Sequence, residues 1–362
     1  MNIHNQLQSS GTSVGCILVN YRSPWKMLTR CLNSIIGSTG GISCSIILVD
    51  NASGDGVPEQ VRSEYPEVSV IELERNYGFA KAVNHGLMRL SEPYVLLLNT
   101  DAILTADALE LMINVLESAG EDCAGVAPKM MSSSHEGIID AVGTVMPPTG
   151  APFNRGIGQC DLGQYDDSEN VAGVCFGATL LRRDLFEPER VGALYEGYFL
   201  YFEDSDWCMR AFSQGYRFIT VPEAVVLHMH SGITRHASLE FKYGLIELNT
   251  LMVVTRTFES RLKTARIVLS RATRLLARTL IRRRFVSANL RVMARYLSLL
   301  PRLLRERRQL QRRRTVGDSE LFRMAAGEDA FFDTVTYQPD RRLDSLISTY
   351  QRLQRRQRDH EY

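Results

Sequence analysis

Short apolar runs, each closed by polar residues and each followed by a stretch of helical spacing, fill the first third of this chain. Val14–Asn20 (VGCILVN), Ser45–Val49, Val68–Leu73 and Tyr94–Leu98 read as buried strands. After the first, Trp25, Leu28, Leu32, Ile35 and Ile36 fall on one helical face behind Pro24. A short helix follows the second strand, and Ala80–Leu90 and Ala106–Leu116 read as two more. This alternation predicts βα units on a largely parallel sheet, covered by helices on both faces. Such sheets bind ligands at the carboxyl ends of their strands, so the residues just beyond each strand carry most of the information.

The 362 residues allow two domains, or one large domain with an appendage. Hydrophobic residues make up 44% and charged residues 23%, a globular mix that excludes a disordered, collagenous or disulfide-scaffold chain. The seven cysteines are scattered and never paired as CxxC, which fits a reducing compartment. No segment reads as a signal peptide and no run of ~18 apolar residues could span a bilayer, so a cytoplasmic protein, soluble or peripheral, is expected. The net charge of +1 hides a division: 17 Arg and Lys263 face one acid, Glu306, between Arg261 and Arg314. The chain before this stretch is acidic overall. The basic stretch calls for an anionic partner, a membrane surface or a nucleic acid.

Four strand ends carry polar groups that a core would not ask for. The first ends in Asn20-Tyr21-Arg22 and the second in Asp50-Asn51-Ala52-Ser53. The third is followed by Arg75-Asn76-Tyr77-Gly78-Phe79-Ala80, leading into a helix with Asn84 and Gly86, and the fourth ends in Asn99-Thr100-Asp101. Each alone is ordinary turn and cap chemistry. All four on one edge of a parallel sheet predict a common binding site. Further on, residues 130–170 are rich in Gly, Pro, Ser and Asp and read as long loops with room for one hairpin. Ala172 to about His230 forms a second ordered block, in which His228 and His230 share a face beyond the strand Ala224–Leu227.

The motifs LVNY, LVDNASGD, RNYGFAKAVNHG and LLLNTDA, in that order, resemble the donor half of family-2 inverting glycosyltransferases. FGATLLRRDLFEPERVGALYEGYFLYFEDSDWCMRAFSQGY resembles the acceptor half, and the pattern is most similar to the bacterial rhamnosyltransferase-like members that build surface polysaccharides. The resemblance covers about residues 14–255. It implies a GT-A fold, a nucleotide-diphosphate sugar as donor and Mg²⁺ or Mn²⁺ as cofactor. The sugar implied is L-rhamnose from dTDP-rhamnose, with UDP-hexoses as the alternative. The acceptor implied is a glycan or lipid-linked glycan, and the place the inner face of the cell membrane. The chain then divides into a flexible N-terminus (1–12), a GT-A domain (13–257, with a nucleotide-sugar half 13–128 and an acceptor half 129–257) and an Arg-rich helical region (258–362).

Carried over motif by motif, Asn20, Tyr21, Asp50 and Asn51 would hold the nucleobase and ribose, with Asp50 accepting from the imide N–H of uracil or thymine. Arg75, Asn76 and the Gly78 turn would face the nucleotide and diphosphate. Asp101 matches the last carboxylate of the family's DXD motif, which grips the cation. Here Asn99 stands where the first carboxylate would be, and would position the sugar or coordinate weakly. His228 would approach the metal or the diphosphate. Asp204, in Glu203-Asp204-Ser205-Asp206-Trp207, would be the general base. Glu203 and Asp206 are supporting acids that also suit a helix N-terminus.

Two other classes compete. A Rossmann oxidoreductase needs a glycine-rich turn after its first strand, and this chain has Asn20-Tyr21-Arg22-Ser23-Pro24 there. A nucleic-acid module acting through residues 261–314 lacks readout chemistry and zinc-ligand spacing. Arg271, Arg274, Arg278 and Arg282 with Leu275, Leu276, Leu280 and Ile281 instead suggest a basic amphipathic helix, of a type that lies on an anionic membrane surface. Packing of that helix on the catalytic domain is the alternative.

Overall fold

The computed structural model describes residues 12–38, 41–229, 238–281 and 285–326. The segment 1–11 of the expected flexible N-terminus, His230, Arg282 and residues beyond 326 lie outside the described residues. The first half runs β1 (Ser13–Asn20), α1 (Trp25–Gly37), β2 (Ser43–Asp50), α2 (Val57–Glu64), β3 (Val68–Glu72), α3 (Phe79–Leu87), β4 (Tyr94–Asn99), β5 (Ala102–Leu104) and α4 (Ala108–Ser118). Then come β6 (Cys123–Ser132), β7 (Ile139–Ala141), β8 (Thr144–Val145), β9 (Phe153–Asn154), β10 (Asn170–Val171), β11 (Ala178–Arg182), α5 (Glu203–Ser213) and β12 (Arg217–His228). Four helices follow: α6 (Leu239–Thr257), α7 (Arg261–Ile281), α8 (Val286–Arg312) and α9 (Asp318–Met324).

The main sheet is ordered β10-β12-β6-β11-β4-β1-β2-β3, with β5 on β12 and β7 on β6. β3, β2, β1 and β4 are parallel, as the run of βα units predicts. Beyond β4 the sheet is mixed. β11 lies antiparallel between β4 and β6, while β12 runs parallel to β6. β11 is reached by a loop along the ligand edge, so it starts at that edge, Ala178 opposite Leu98. The carboxyl ends of β1, β2, β4, β6 and β12 and the entry of β11 therefore share one rim. The sequence hid β6 because Gly125, Pro128 and Lys129 interrupt its apolar run.

Successive strand residues face opposite ways. Cys16, Leu18, Leu96 and Leu98 pack with Leu28, Ile35, Val61 and Met112 on one face. Ile17, Val19 and Leu97 pack with Ala80, Val83, Trp207 and Phe218 on the other. A third core joins Tyr198, Met209 and Phe212 to Val254, Phe258, Leu275, Val292, Tyr296 and Leu303 from α6, α7 and α8. The Arg-rich helices therefore pack on the acceptor half. Arg271 and Arg278 pair with Glu247 of α6 at 3.0 and 2.8 Å, and Arg307 donates to the carbonyls of Thr255 and Glu259 at 3.0 and 2.9 Å.

Candidate active site

Registry between β1 and β2 sets Asn20 opposite Asp50. Asn20 Nδ2 donates to Asp50 Oδ1 at 2.7 Å, and Ser53 donates to Asp50 twice, from Oγ at 2.6 Å and from its backbone N at 2.9 Å. Three of roughly four acceptor positions on that carboxylate are filled, leaving one for a ligand N–H. Asn20 is wholly buried and holds Asp50 in place. Its Oδ1 accepts from the Ser23 amide, so its side chain faces its own chain rather than a base. Ser53, visible in the sequence only as part of a turn, is the hub that also receives the Arg22 amide at 2.9 Å.

Asn51 is likewise consumed internally. It accepts from the Tyr77 amide at 2.8 Å and donates to the Gly78 carbonyl at 3.1 Å, fixing the Arg75–Gly78 loop. Asn76 accepts from the Gly78 amide at 2.9 Å. Gly78 adopts φ +86°, and a Cβ there would stand 2.2 Å from the Phe199 carbonyl oxygen. The close approach that glycine permits is thus to the acceptor-half backbone, where the Phe79 amide donates to that same oxygen at 2.9 Å. The turn thus ties the donor half to the acceptor half through backbone. At this rim Arg22 and Arg75 are exposed and Tyr21, Asn76 and Tyr77 are half-buried, with Arg75 over the Tyr77 ring at 4.7 Å and Lys81 near the same ring at 4.4 Å.

At the ends of β4 and β12, Asp101 Oδ1 lies 3.1 Å from His228 Nε2, and the Asn99 amide nitrogen lies 3.4 Å from the same imidazole atom. Asp140 of β7, which sequence reading missed, takes the other ring nitrogen at 2.6 Å. Burial pulls the His228 pKa down, but the Asp140 and Asp101 carboxylates outweigh it and push it up to about 10. A cation held here would displace a proton from the ring, since a coordinating histidine is neutral. Among the described residues no three His, Cys, Asp or Glu side chains are placed to hold an ion by themselves. Asp101 and His228 fit a cation that draws its remaining ligands from water and a diphosphate, as Mg²⁺ does. Asp140 on Nδ1 is the outer-shell partner that such a histidine requires.

The acid cluster sits at the start of α5, behind two aromatic residues in left-handed conformation, Tyr201 (φ 72°) and Phe202 (φ 71°). Bulky side chains pay a conformational penalty there, so surrounding contacts must impose it. Asn249 of α6 supplies them: its Nδ2 donates to the carbonyls of Leu200 and Tyr201, both at 2.8 Å. A lone Asn within the apolar run of α6 was the signal that could have found it. The three acids then have different surroundings. Asp206 is fully buried, bound by Arg256, by Arg210 at 3.0 Å and by the Tyr198 hydroxyl at 3.2 Å. It ties α5 to α6. Asp204 Oδ1 accepts from the Ser205 amide at 2.5 Å and the Ser205 hydroxyl at 3.1 Å, and the Phe176 amide also donates to the carboxylate. Burial raises its pKa and these donors oppose the rise. Glu203 is buried with Oε2 unpartnered, and burial reinforced by the neighbouring Asp204 pushes its pKa up to about 8. The pair is coupled, and the donors around Asp204 favour the charge on that carboxylate over Glu203, whose Oε2 has none.

The entry to β11 joins the two clusters. Phe176 reaches Asp204, and the carbonyl of Gly177 accepts from the Asn99 amide at 2.8 Å. A buried, hydrogen-bonded carboxylate therefore shares the rim with an Asp–His pair and the polar tips of β1 and β2. The fold is that of a GT-A glycosyltransferase. The sequence profile of Glycosyl transferase family 2 matches residues 16–188, and the chain belongs to this family. It is 30% identical over 237 residues to N-acetylglucosaminyl-diphospho-decaprenol L-rhamnosyltransferase of Mycobacterium tuberculosis, covering 59% of this chain and 74% of that one. Its fold is similar to the crystal structure of S. aureus TarS, with 16% identity and a TM-score of 0.50, over 87% of this chain and 55% of that one.

Proposed function

We propose that this glycosyltransferase moves L-rhamnose from dTDP-rhamnose, with inversion, to a hydroxyl of a lipid-linked glycan in bacterial surface-polysaccharide synthesis. The observation that carries the mechanism is the contrast between Asp204, held by the Ser205 and Phe176 donors, and Glu203, whose Oε2 has no partner, on the rim that carries the Asp101–His228 pair. Asp204 takes the proton of the acceptor hydroxyl as its oxygen attacks C1 from the face opposite the nucleotide, and the bond from C1 to the diphosphate breaks. Asp50 receives the base's imide N–H, and Tyr21, Arg75 and Asn76 flank the nucleotide. Asp101 and His228 would hold Mg²⁺ or Mn²⁺, which offsets charge on the leaving diphosphate, and Asn99 orients the sugar. The choice of sugar and acceptor is supported by the mycobacterial relative's name. The protein would work at the inner face of the membrane, bound through residues 261–314.

Thermal protection by a panel of dTDP- and UDP-sugars, with and without Mn²⁺, tests the donor. The largest stabilisation is expected from dTDP-rhamnose with Mn²⁺. A larger shift from a UDP-hexose would move the assignment to that donor, since uracil and thymine offer Asp50 the same N–H.

A further inference from the structure

The outer faces of α7 and α8 carry an arrangement that neither the core nor the active site uses. Leu262, Leu269 and Leu276 recur every seven residues along α7, and Leu290, Leu297 and Leu304 do the same along α8. A seven-residue interval returns to the same side of a helix after two turns. All six are between 41% and 66% exposed, and Leu280, one turn beyond Leu276, is 87% exposed. The opposite sides of the same helices are already apolar and packed, through Leu275, Val292, Tyr296 and Leu303. These helices are therefore apolar on two sides, and one side has no partner among the described residues. A helix on a globular surface ordinarily turns polar side chains that way.

The charges beside the stripes decide what could cover them. Arg266 and Arg274 on α7 and Arg291, Arg295, Arg305 and Arg308 on α8 are exposed. α7 contains no acidic residue. The single acid of α8, Glu306, is engaged by Arg256 and Arg302 at 3.0 and 2.8 Å. A second copy applied to this face would set arginine rows against arginine rows. A nucleic acid would satisfy the arginines and leave the leucines without an apolar phase. A leaflet of anionic lipid satisfies both, with guanidinium groups at the phosphates and leucines in the boundary between headgroups and acyl chains. No described helix is long and apolar enough to cross a membrane.

We infer that the outward faces of α7 and α8 form a surface that inserts shallowly into an anionic bilayer, docking through leucine as much as through arginine. The purpose of such docking rests on the lipid-linked acceptor proposed above, but its measurement does not. Full-length protein should sediment with mixed phosphatidylglycerol–phosphatidylcholine vesicles and not with phosphatidylcholine alone. The variant L269E/L276E/L297E changes only exposed positions and should keep the wild-type Tm. Its vesicle partition should fall by at least about tenfold. Wild-type protein that ignores anionic vesicles at low salt would overturn the inference. So would equal partition of variant and wild type, which would reduce the contact to arginine electrostatics, or a wild-type dimer that the variant dissolves. Transfer to a water-soluble acceptor should be the same in both proteins, and transfer to a vesicle-embedded acceptor should drop in the variant. If the variant loses vesicles while both proteins lack transfer to any lipid-linked acceptor, the docking surface stands and the acceptor assignment falls.

Discussion

Glu203 and Asp204 are adjacent carboxyl groups with opposite surroundings, and the difference is testable one atom at a time. Asp204→Asn keeps shape and hydrogen bonding but removes basicity, so turnover should fall by ~10²–10⁴-fold at saturating substrates while nucleotide affinity stays near wild type. Near-normal turnover with an inactive Glu203→Gln would move the base by one residue. Glu203 also makes a prediction about stability. Its carboxyl titrates at about 8 in the folded protein, against a reference value of 4.5. Between those values the folded chain holds a proton that the unfolded chain releases, so its contribution to stability is fully present below the lower value and disappears as pH rises through the upper one. His228, at about 10, acts with the same sign. The diagnostic is therefore a difference: between about pH 5 and about pH 8.5 the Tm of wild type should decline more steeply than that of Glu203→Gln. Parallel curves would mean that Glu203 is ionised throughout.

At the level of elements, α6 acts on the chemistry without touching it. Asn249 fixes Leu200 and Tyr201, and Arg256 fixes Asp206, so one helix grips both sides of the Glu203–Asp204 pair. Asn249→Ala should release the left-handed pair Tyr201–Phe202 and lower kcat by roughly 10²-fold, since small displacements of a reacting group cost that much. The nucleotide Kd should be unchanged, because the tips of β1 and β2 lie elsewhere. A loss of nucleotide affinity equal to the loss of kcat would show general loosening instead. The elements differ in how far sequence revealed them. The parallel strands β1 to β4 were legible because unbroken apolar runs leave few alternatives, and their polar tips marked the rim. β6 was not, for Pro128 and Lys129 mask it. The direction of β11 was not, since a five-residue strand carries no sign of its direction. Asp140 gave no signal at all: its meaning comes from His228, 88 residues away, across β6. Asn20, Asn51 and Gly78 stand out in the sequence as polar or turn residues at strand ends, but their contacts with Asp50, with the Arg75–Gly78 loop and with Phe199 are not legible there, because no motif distinguishes shaping a site from holding a ligand.

For the whole molecule, the Arg-rich region is part of the fold and its removal should not be silent. Deleting residues 261–362 tests whether this region is a separable arm. The structure instead buries Leu275, Val292, Tyr296 and Leu303 against Met252, Val254 and Phe258. The truncated chain would expose that core, and its Tm should lie at least about 10 °C below that of the full chain, checked by calorimetry. An unchanged Tm would restore the separable arm. The clasp on Asp206 has one more consequence. Arg256, which holds that acid, is itself braced at 3.0 Å by Glu306, fifty residues further along the chain. A nascent chain leaving the ribosome thus carries Asp206 and Arg256 well before the brace arrives. The full clasp can close only once α8 has been made.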